Sequence, residues 1–145
     1  MAITTNAICN SFKGQIIQGQ HNFTLTTGNK FKLAMYTTAA TLGASTTSFT
    51  TSGQVSSSGY TSGGKALVNS GVKVSSAIAI TNFSNVSFTG VTLSARGALI
   101  YNTSATNKAV CVLDFGGTKT ATAGTFTVQF PAFTTAAAII RIGNA

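Results

Sequence analysis

The residues able to do acid–base, nucleophilic or metal chemistry are few in this chain. Asp114 is the single acidic residue, His21 is the single histidine, and Cys9 and Cys111 are the two cysteines among 145 residues. Paired-carboxylate catalysis and carboxylate-rich Ca²⁺ or Mg²⁺ sites need more than one acid, so one chain cannot build them. One histidine with two distant cysteines also argues against a zinc site or a catalytic triad. The composition therefore predicts a protein that is not an enzyme and binds no cofactor or metal.

The two cysteines are interpreted as buried free thiols. Cys9 and Cys111 lie far apart in the sequence, show no CxxC spacing and have no histidine beside them. A small apolar side chain with a weak S–H donor is at home in a protein core. A disulfide stays open as the alternative, provided that the two Cα atoms come within about 7 Å.

Four other features have plain interpretations. The run Gly116–Thr120 lacks the spacing of a phosphate-binding loop and no helix follows it, so it predicts a turn. Asp114 is expected at a strand end, where it accepts turn N–H groups or pairs with a lysine. His21 is interpreted as a capping or surface residue. Arg96, at the start of an apolar strand, either binds backbone carbonyls of a neighbouring subunit or is a rim charge of its own sheet.

The chain is basic because acids are nearly absent, and not because bases are many. Nine lysine and arginine residues against one acid give a net charge of +8, and charged residues make up only 7% of the sequence. Basic and aromatic residues interleave only at Phe31–Lys32 and at Tyr60 with Lys65, so nucleic acid is not favoured as the main partner. The balance favours an acidic protein surface or a symmetric assembly.

One helix is predicted at the N-terminus. Ile8, Phe12 and Ile16 recur at every fourth residue, which is typical of one apolar helix stripe. Thr4, Thr5 or Asn6 can cap its start and Gly19 can end it, so the helix is expected over about 6–19. It is interpreted as covering one face or edge of a sheet, with an amphipathic arm that docks on a partner helix or membrane as the alternative.

Strands are predicted from Phe31 onward, where apolar residues alternate with a period near two. The most clearly predicted hairpin pairs Ala95–Tyr101 with Lys108–Phe115 across a polar turn. Thr37–Gly64 is expected to be a long surface excursion with one or two short strands, around 48–51 and 54–57. The other predicted strands are Phe31–Tyr36, Lys65–Val68, Val72–Thr81, a pair over Phe83–Phe88 and Val91–Leu93, Thr125–Phe130 and Ala136–Ile142.

Strand segments at spacings of about 8–12 residues predict an all-β sandwich or barrel. The fold class is therefore mainly β: an antiparallel β-sandwich, jelly-roll or Ig-like, with one N-terminal α-helix. The length fits a single domain over residues 1–145.

The surface of such a fold is expected to be poor in charge and rich in hydroxyl groups. Edge strands are usually protected by charged side chains, and few are available here. A monomer with so few charges would be weakly protected against self-association. The sequence therefore indicates a structural protein whose edges are covered by partners, as a homo-oligomer or in a symmetric assembly.

Neither a signal peptide nor a membrane span is expected. Met1–Asn10 lacks a basic start followed by a continuous apolar run. No segment reaches the roughly 18 consecutive apolar residues of a transmembrane helix.

Several blocks of the sequence resemble a family of small virion proteins of tailed phages. The blocks are Ala7–Lys13, Phe31–Thr37 with Ala39–Leu42, Gly59–Gly64, Ala95–Asn102, Val112–Gly117 and Ala138–Ile142. They span nearly the whole chain. The resemblance implies a non-enzymatic structural protein of the virion, a capsid decoration or cement protein, and it carries over no catalytic residue.

The chain departs from this family pattern in its charge. Relatives carry acids near the first strand, before Val55 and after Gly117, where this chain has Asn29–Lys30, Gln54 and Thr118–Lys119. The basic face suits an acidic capsid exterior, which makes the phage major capsid protein the expected partner. The side chains predicted to contact it are Lys30, Lys32, Lys65, Lys73 and Arg96.

Two other functions stay open on the sequence alone. The first is a neck, tail or fibre protein, for which about a dozen copies per particle or fewer are expected, against hundreds for a decoration protein. The second is a nucleic-acid-binding virion protein, for which affinity should fall steeply with salt. Copy number and salt dependence therefore separate the three hypotheses.

Overall fold

The computed structural model describes residues 3–144, which form two antiparallel sheets and one N-terminal helix. This architecture confirms the mainly β sandwich with a helix at its start. The elements are β1 (Ala7–Ile8), α1 (Asn10–Ile17), β2 (Phe31–Tyr36), β3 (Lys65–Ala66), β4 (Asn69–Ser75), β5 (Ile78–Phe83), β6 (Val86–Asn102), β7 (Lys108–Val128) and β8 (Ile140–Ile142), with a 3-10 turn at Thr103–Ala105. One sheet has the order β1-β7-β6-β2-β3 and the other β4-β5-β8.

The hairpin of β6 and β7 is the centre of the five-stranded sheet. The predicted hairpin is confirmed, and in its register Leu99 pairs with Val112 and Ile100 with Cys111. Both strands continue well beyond the predicted hairpin and include the segments that the sequence assigned to separate strands. Register shifts between Phe88 and Val91 and again near Gly97 explain the difference, since a bulge changes the parity of the apolar residues along an unbroken strand.

One face of this sheet is covered by the excursion 37–64. The Phe49 ring stacks on Tyr101 with centroids 4.6 Å apart, and the Tyr36 hydroxyl donates to the Thr50 carbonyl at 2.6 Å. The expected short strands inside the excursion are only single bridges, of Ser48 with Lys108 and of Tyr36 with Gln54. Side-chain packing and isolated backbone hydrogen bonds, such as Val55 N–H to the Met35 carbonyl at 2.9 Å, therefore hold the excursion on the sheet without continuous strand pairing.

An aromatic cluster covers part of the other face and joins the two sheets. Phe31 of β2 stacks on Phe23 at 4.6 Å and meets Phe83 of β5 at 5.6 Å between ring centroids. Phe12 of α1 lies 6.0 Å from Phe23, and Phe130 lies 5.7 Å from Phe83. Such separations are favourable for aromatic pairs. The cluster thus fixes α1 and the three-stranded sheet against the five-stranded one.

The predicted helix boundaries are wrong at the start. The helix begins at Asn10 rather than near residue 6, and Cys9 is its N-terminal cap residue without a side-chain capping bond. Ala7 and Ile8 are extended and pair with Val112 and Cys111. Hydrogen bonding to the open edge of β7 outweighs the weak helical pattern of these residues. In residues 3–144 no helix has the length and hydrophobicity that crossing a bilayer requires.

The predicted strand Val72–Thr81 is a hairpin of β4 and β5. Ser76 and Ala77 form its two-residue turn, both with positive φ, at 51° and 61°. Positive φ at both positions is the mark of a type I′ turn, for which Asn-Gly is the usual signal. Because Ser-Ala gives no such signal, the alternation on its two sides was interpreted as one strand. The strand predicted over Lys65–Val68 is shorter, and that over Ala136–Ile142 begins only at Ile140.

Candidate interaction surface

The single acidic side chain is paired within the chain. Asp114 accepts a hydrogen bond from the Arg96 guanidinium across β6 and β7, and its Oδ1 atom also accepts from the Gly116 N–H at 2.9 Å. The predicted lysine partner is wrong. The charge of Arg96 is therefore paired within its own sheet, in line with the second of the two roles predicted for it. The predicted strand end at Asp114 and the predicted turn over Gly116–Thr120 are also wrong, because both lie inside β7, whose pairing with β6 continues through Lys119 and Thr120. Since the sequence holds no other acid, no carboxylate side chain is left to pair with the lysines.

Three of the predicted contact residues lie along one edge of the five-stranded sheet. Lys30 is exposed just before β2, where its backbone N–H donates to Ser104 Oγ at 2.8 Å. Lys32 follows in β2, and Lys65 of β3 is paired with Leu33 beside it. The backbone positions of these lysines lie together on what we call the β2–β3 edge, made by Lys30, Lys32 and Lys65. The register places Lys65 on the opposite face of the sheet from Lys32, and its ammonium group donates to the Ser87 carbonyl.

The other two predicted contact residues do not join that edge. Lys73 lies on β4 in the other sheet, and its ammonium nitrogen is 4.6 Å from the centroid of the Phe133 ring. Arg96 is held by Asp114. The structure thus divides the five residues between separate surfaces.

An exposed apolar surface lies on the three-stranded sheet, across a groove from α1. Its members, Val72, Val74 and Ile142, have exposed fractions of 58%, 70% and 54%. The pairing of Val74 with Ala79 and of Ala79 with Ile142 places three strands' side chains on the same face. We call these three residues the apolar end surface. The sequence showed the alternation of Val72 and Val74 but not that this face is left uncovered.

A groove of about 410 Å³ continues inward from the apolar end surface. One wall is α1 with the chain that follows it, including Phe12, Ile16 and Phe23, and the other is the face of β4, β5 and β8 that carries Val72 and Ile142. The lining is mainly apolar, which favours apolar side chains of a binding partner over a polar small molecule.

His21 lies at the base of this groove and is buried, with 4% of its surface exposed. The expectation of a capping or surface position is wrong. Its Nδ1 atom accepts from the Asn102 amide at 3.0 Å, and its Nε2–H donates to Gln15 Oε1 at 2.9 Å. The same Asn102 amide donates to Asn29 at 2.8 Å. These partners select the neutral imidazole, and burial, with a smaller effect of Lys108, lowers the pKa of His21.

Acidification is expected to destabilise the protein through His21. Because the folded-state pKa of His21 is lowered, its contribution to the free energy of unfolding is fully present above the unfolded pKa of about 6.5. That contribution is lost as the pH falls below the unfolded pKa. A protonated ring would also turn an N–H toward the Asn102 amide donor. Urea unfolding between about pH 7.5 and about pH 5 should show a falling midpoint. The variant His21→Gln removes the titrating group, and a pH dependence equal to that of the parent would contradict this origin.

Both cysteines are free and buried, which confirms the interpretation as core thiols. Burial raises the pKa of Cys9 to about 11 and raises that of Cys111 as well. Thiols of this kind are protonated and unreactive at neutral pH. Within residues 3–144 no cluster of histidine, cysteine and acidic side chains is suited to hold a metal ion.

Comparison of the chain with family models, with curated proteins and with solved structures gave no match. A function can therefore be inferred from the fold, the β2–β3 edge and the apolar end surface, together with the resemblance of the sequence blocks to virion proteins.

Proposed function

We propose that this protein is a non-enzymatic structural component of a phage particle, a decoration or cement protein that binds and stabilises the capsid shell. The observation that carries the proposal is the uncompensated charge of the β2–β3 edge. The only acidic side chain is occupied by Arg96, so any carboxylate side chain that pairs with these lysines must come from another molecule. The resemblance of the sequence blocks to virion proteins is the reason for proposing that the protein acts in a phage particle.

The excursion beside this edge supports binding because it is already ordered. Gln54 Oε1 accepts from the Tyr60 hydroxyl at 2.9 Å and from the Gly63 N–H at 2.7 Å. The Met35 N–H of β2 donates to the same Tyr60 hydroxyl at 2.9 Å. A surface held in place by such bonds loses little conformational entropy when a partner binds. A protein that binds only the folded shell then stabilises it by mass action.

The copy number of the protein in purified particles tests this function. Quantitative mass spectrometry against the major capsid protein should give about one copy per capsid subunit or per few subunits. A ratio nearer one copy per tens of capsid subunits would indicate a neck, tail or fibre protein instead. Absence from the particle would contradict a virion role, and a steep salt dependence of DNA binding would then favour the nucleic-acid alternative.

Charge reversal on the β2–β3 edge is expected to lower shell occupancy. The double variant Lys30→Glu/Lys65→Glu should reduce binding to shells that lack the protein by about tenfold or more, because attraction to acidic groups becomes repulsion. Occupancy is measured by co-sedimentation at physiological salt. The variant Lys108→Glu/Lys119→Glu has the same net charge and serves as the control. Equal losses in both variants would show that only total charge matters, and no loss in either would contradict the charged contact.

A further inference from the structure

We propose that the outer edge of β4, with the apolar end surface beside it, binds an extended strand of an acidic partner in which apolar and acidic side chains alternate. This inference specifies a second contact and the chemistry of the bound segment. Only the identification of the partner as a shell protein rests on the proposed function.

β4 is the longest of the strands that stand outermost in a sheet of the described structure. β4 has seven residues and stands first in the order β4-β5-β8, so one side of it has no partner strand in residues 3–144. The other outer strands, β1, β3 and β8, have only two or three residues each. An open row of backbone N–H and C=O groups is a template for an added strand.

The usual protection of such an edge is missing here. Lys73 is the only charged residue of β4, and its ammonium group lies over the Phe133 ring. Val72 and Val74, on the opposite face from Lys73, are both more than half exposed. Exposed valines on an unpaired strand stabilise an added strand rather than prevent its addition.

The two faces of β4 determine which side chains the added strand should carry. On one face, side chains beside Val72 and Val74 extend the apolar end surface and reach the mouth of the groove. On the other face, Lys73 is the charged residue of β4, and Arg141 lies on the same face two strands further in, where its guanidinium donates to the Ala136 carbonyl. Side chains alternate between the faces of a strand. An apolar–acidic alternation therefore complements both faces at once.

A second copy of this chain fits the edge less well than an acidic segment. Antiparallel self-pairing of β4 centred on Lys73 would place the two lysines opposite each other, which destabilises a strand pair, whereas the register centred on Val72 places Lys73 opposite Gly71. In both registers each copy carries a net charge of +8, which opposes association. Charge complementarity therefore selects the acidic partner.

A synthetic peptide tests the proposal directly. The probe is a capped peptide of about eight residues that alternates valine and glutamate, and the comparison peptide alternates valine and lysine. Added to ¹⁵N-labelled protein, the acidic peptide should shift the amide signals of Val72, Lys73 and Val74 and bind at least about tenfold more tightly than the basic one. Absence of shifts, or shifts centred away from β4, would overturn the proposal.

Matched valine variants test the same edge. Val74→Lys should weaken peptide binding about tenfold, because it places a charge on the apolar face of the edge. Val68→Lys is the control, since Val68 is 66% exposed, close to the 70% of Val74, but lies outside the apolar end surface and the groove. Equal effects of the two variants would contradict the assigned edge. Sedimentation that shows a dimer abolished by Val74→Lys alone would replace the acidic partner by a second copy.

The outcomes separate this inference from the proposed function. If the protein binds the peptide but is absent from particles, the β4 edge is supported as a binding site and the virion role is contradicted. If the copy number is high and Val74→Lys leaves shell binding unchanged, the virion role is supported. The β4 edge is then contradicted as the contact with the shell.

Discussion

Phe83→Ala is expected to lower the free energy of unfolding by about 3–5 kcal/mol. Phe83 is 2% exposed, and its ring centroid lies 5.6 Å from that of Phe31 and 5.7 Å from that of Phe130. Because Phe31 belongs to β2 and Phe83 to β5, the truncation leaves a cavity where the two sheets meet. Urea unfolding, followed by circular dichroism, measures the loss.

Phe133→Ala is the control for this prediction. Phe133 is only half-buried and lies under the Lys73 ammonium group, outside the aromatic cluster. Its truncation removes less buried area and should cost about 1 kcal/mol. If Phe133→Ala cost as much as Phe83→Ala, the junction of the sheets would not be the place where aromatic packing contributes most.

Gly64→Ala is expected to cost about 3 kcal/mol or more, through a steric conflict rather than a lost contact. Gly64 has φ +81°, and a Cβ atom there would lie 1.8 Å from the Leu33 carbonyl oxygen and 2.7 Å from the Cα of Ala34. The clash is with backbone of β2, so β3 must move away from β2. The thermal midpoint should fall markedly, and binding through the β2–β3 edge should weaken with it.

Gly116→Ala measures the cost of the backbone conformation alone, so that the cost of the clash at Gly64 can be obtained by difference. Gly116 has a similar φ of +78°, but a Cβ atom there would meet nothing within 4 Å. The variant therefore includes only the cost of an L-residue in the left-handed region, about 1–2 kcal/mol. The difference between the two variants measures the conflict with β2. Equal losses would show that the close approach of β3 to β2 is relieved easily.

Much of the fold could be predicted from local pattern. The alternation in Phe31–Tyr36 and in the Ala95–Tyr101 hairpin identified strands that the structure confirms. Bulges, the Ser76–Ala77 turn and the pairing of Ala7–Ile8 were missed, because each depends on backbone geometry or on a distant strand. Local propensity does not report such partners.

The candidate surfaces were predictable only in part. Composition indicated that the lysines lack acidic partners, and the capture of Asp114 by Arg96 agrees with it. It did not indicate that Lys65 lies beside β2 while Lys73 lies in the other sheet. Residues that are distant in sequence come together only when sheets form, so their grouping is a property of the tertiary structure.

The sequence by itself determined the β-rich class, the scarcity of chemically active side chains and the net positive charge, since these follow from residue types and their period. The tertiary structure alone decided that His21 is buried and that Val72 and Val74 are exposed. Alternation shows which side chains share a face, but what covers that face depends on how the sheets and the helix pack. In this protein the aromatic cluster joins the two sheets so that the apolar face of β4 and its outer edge remain at the surface.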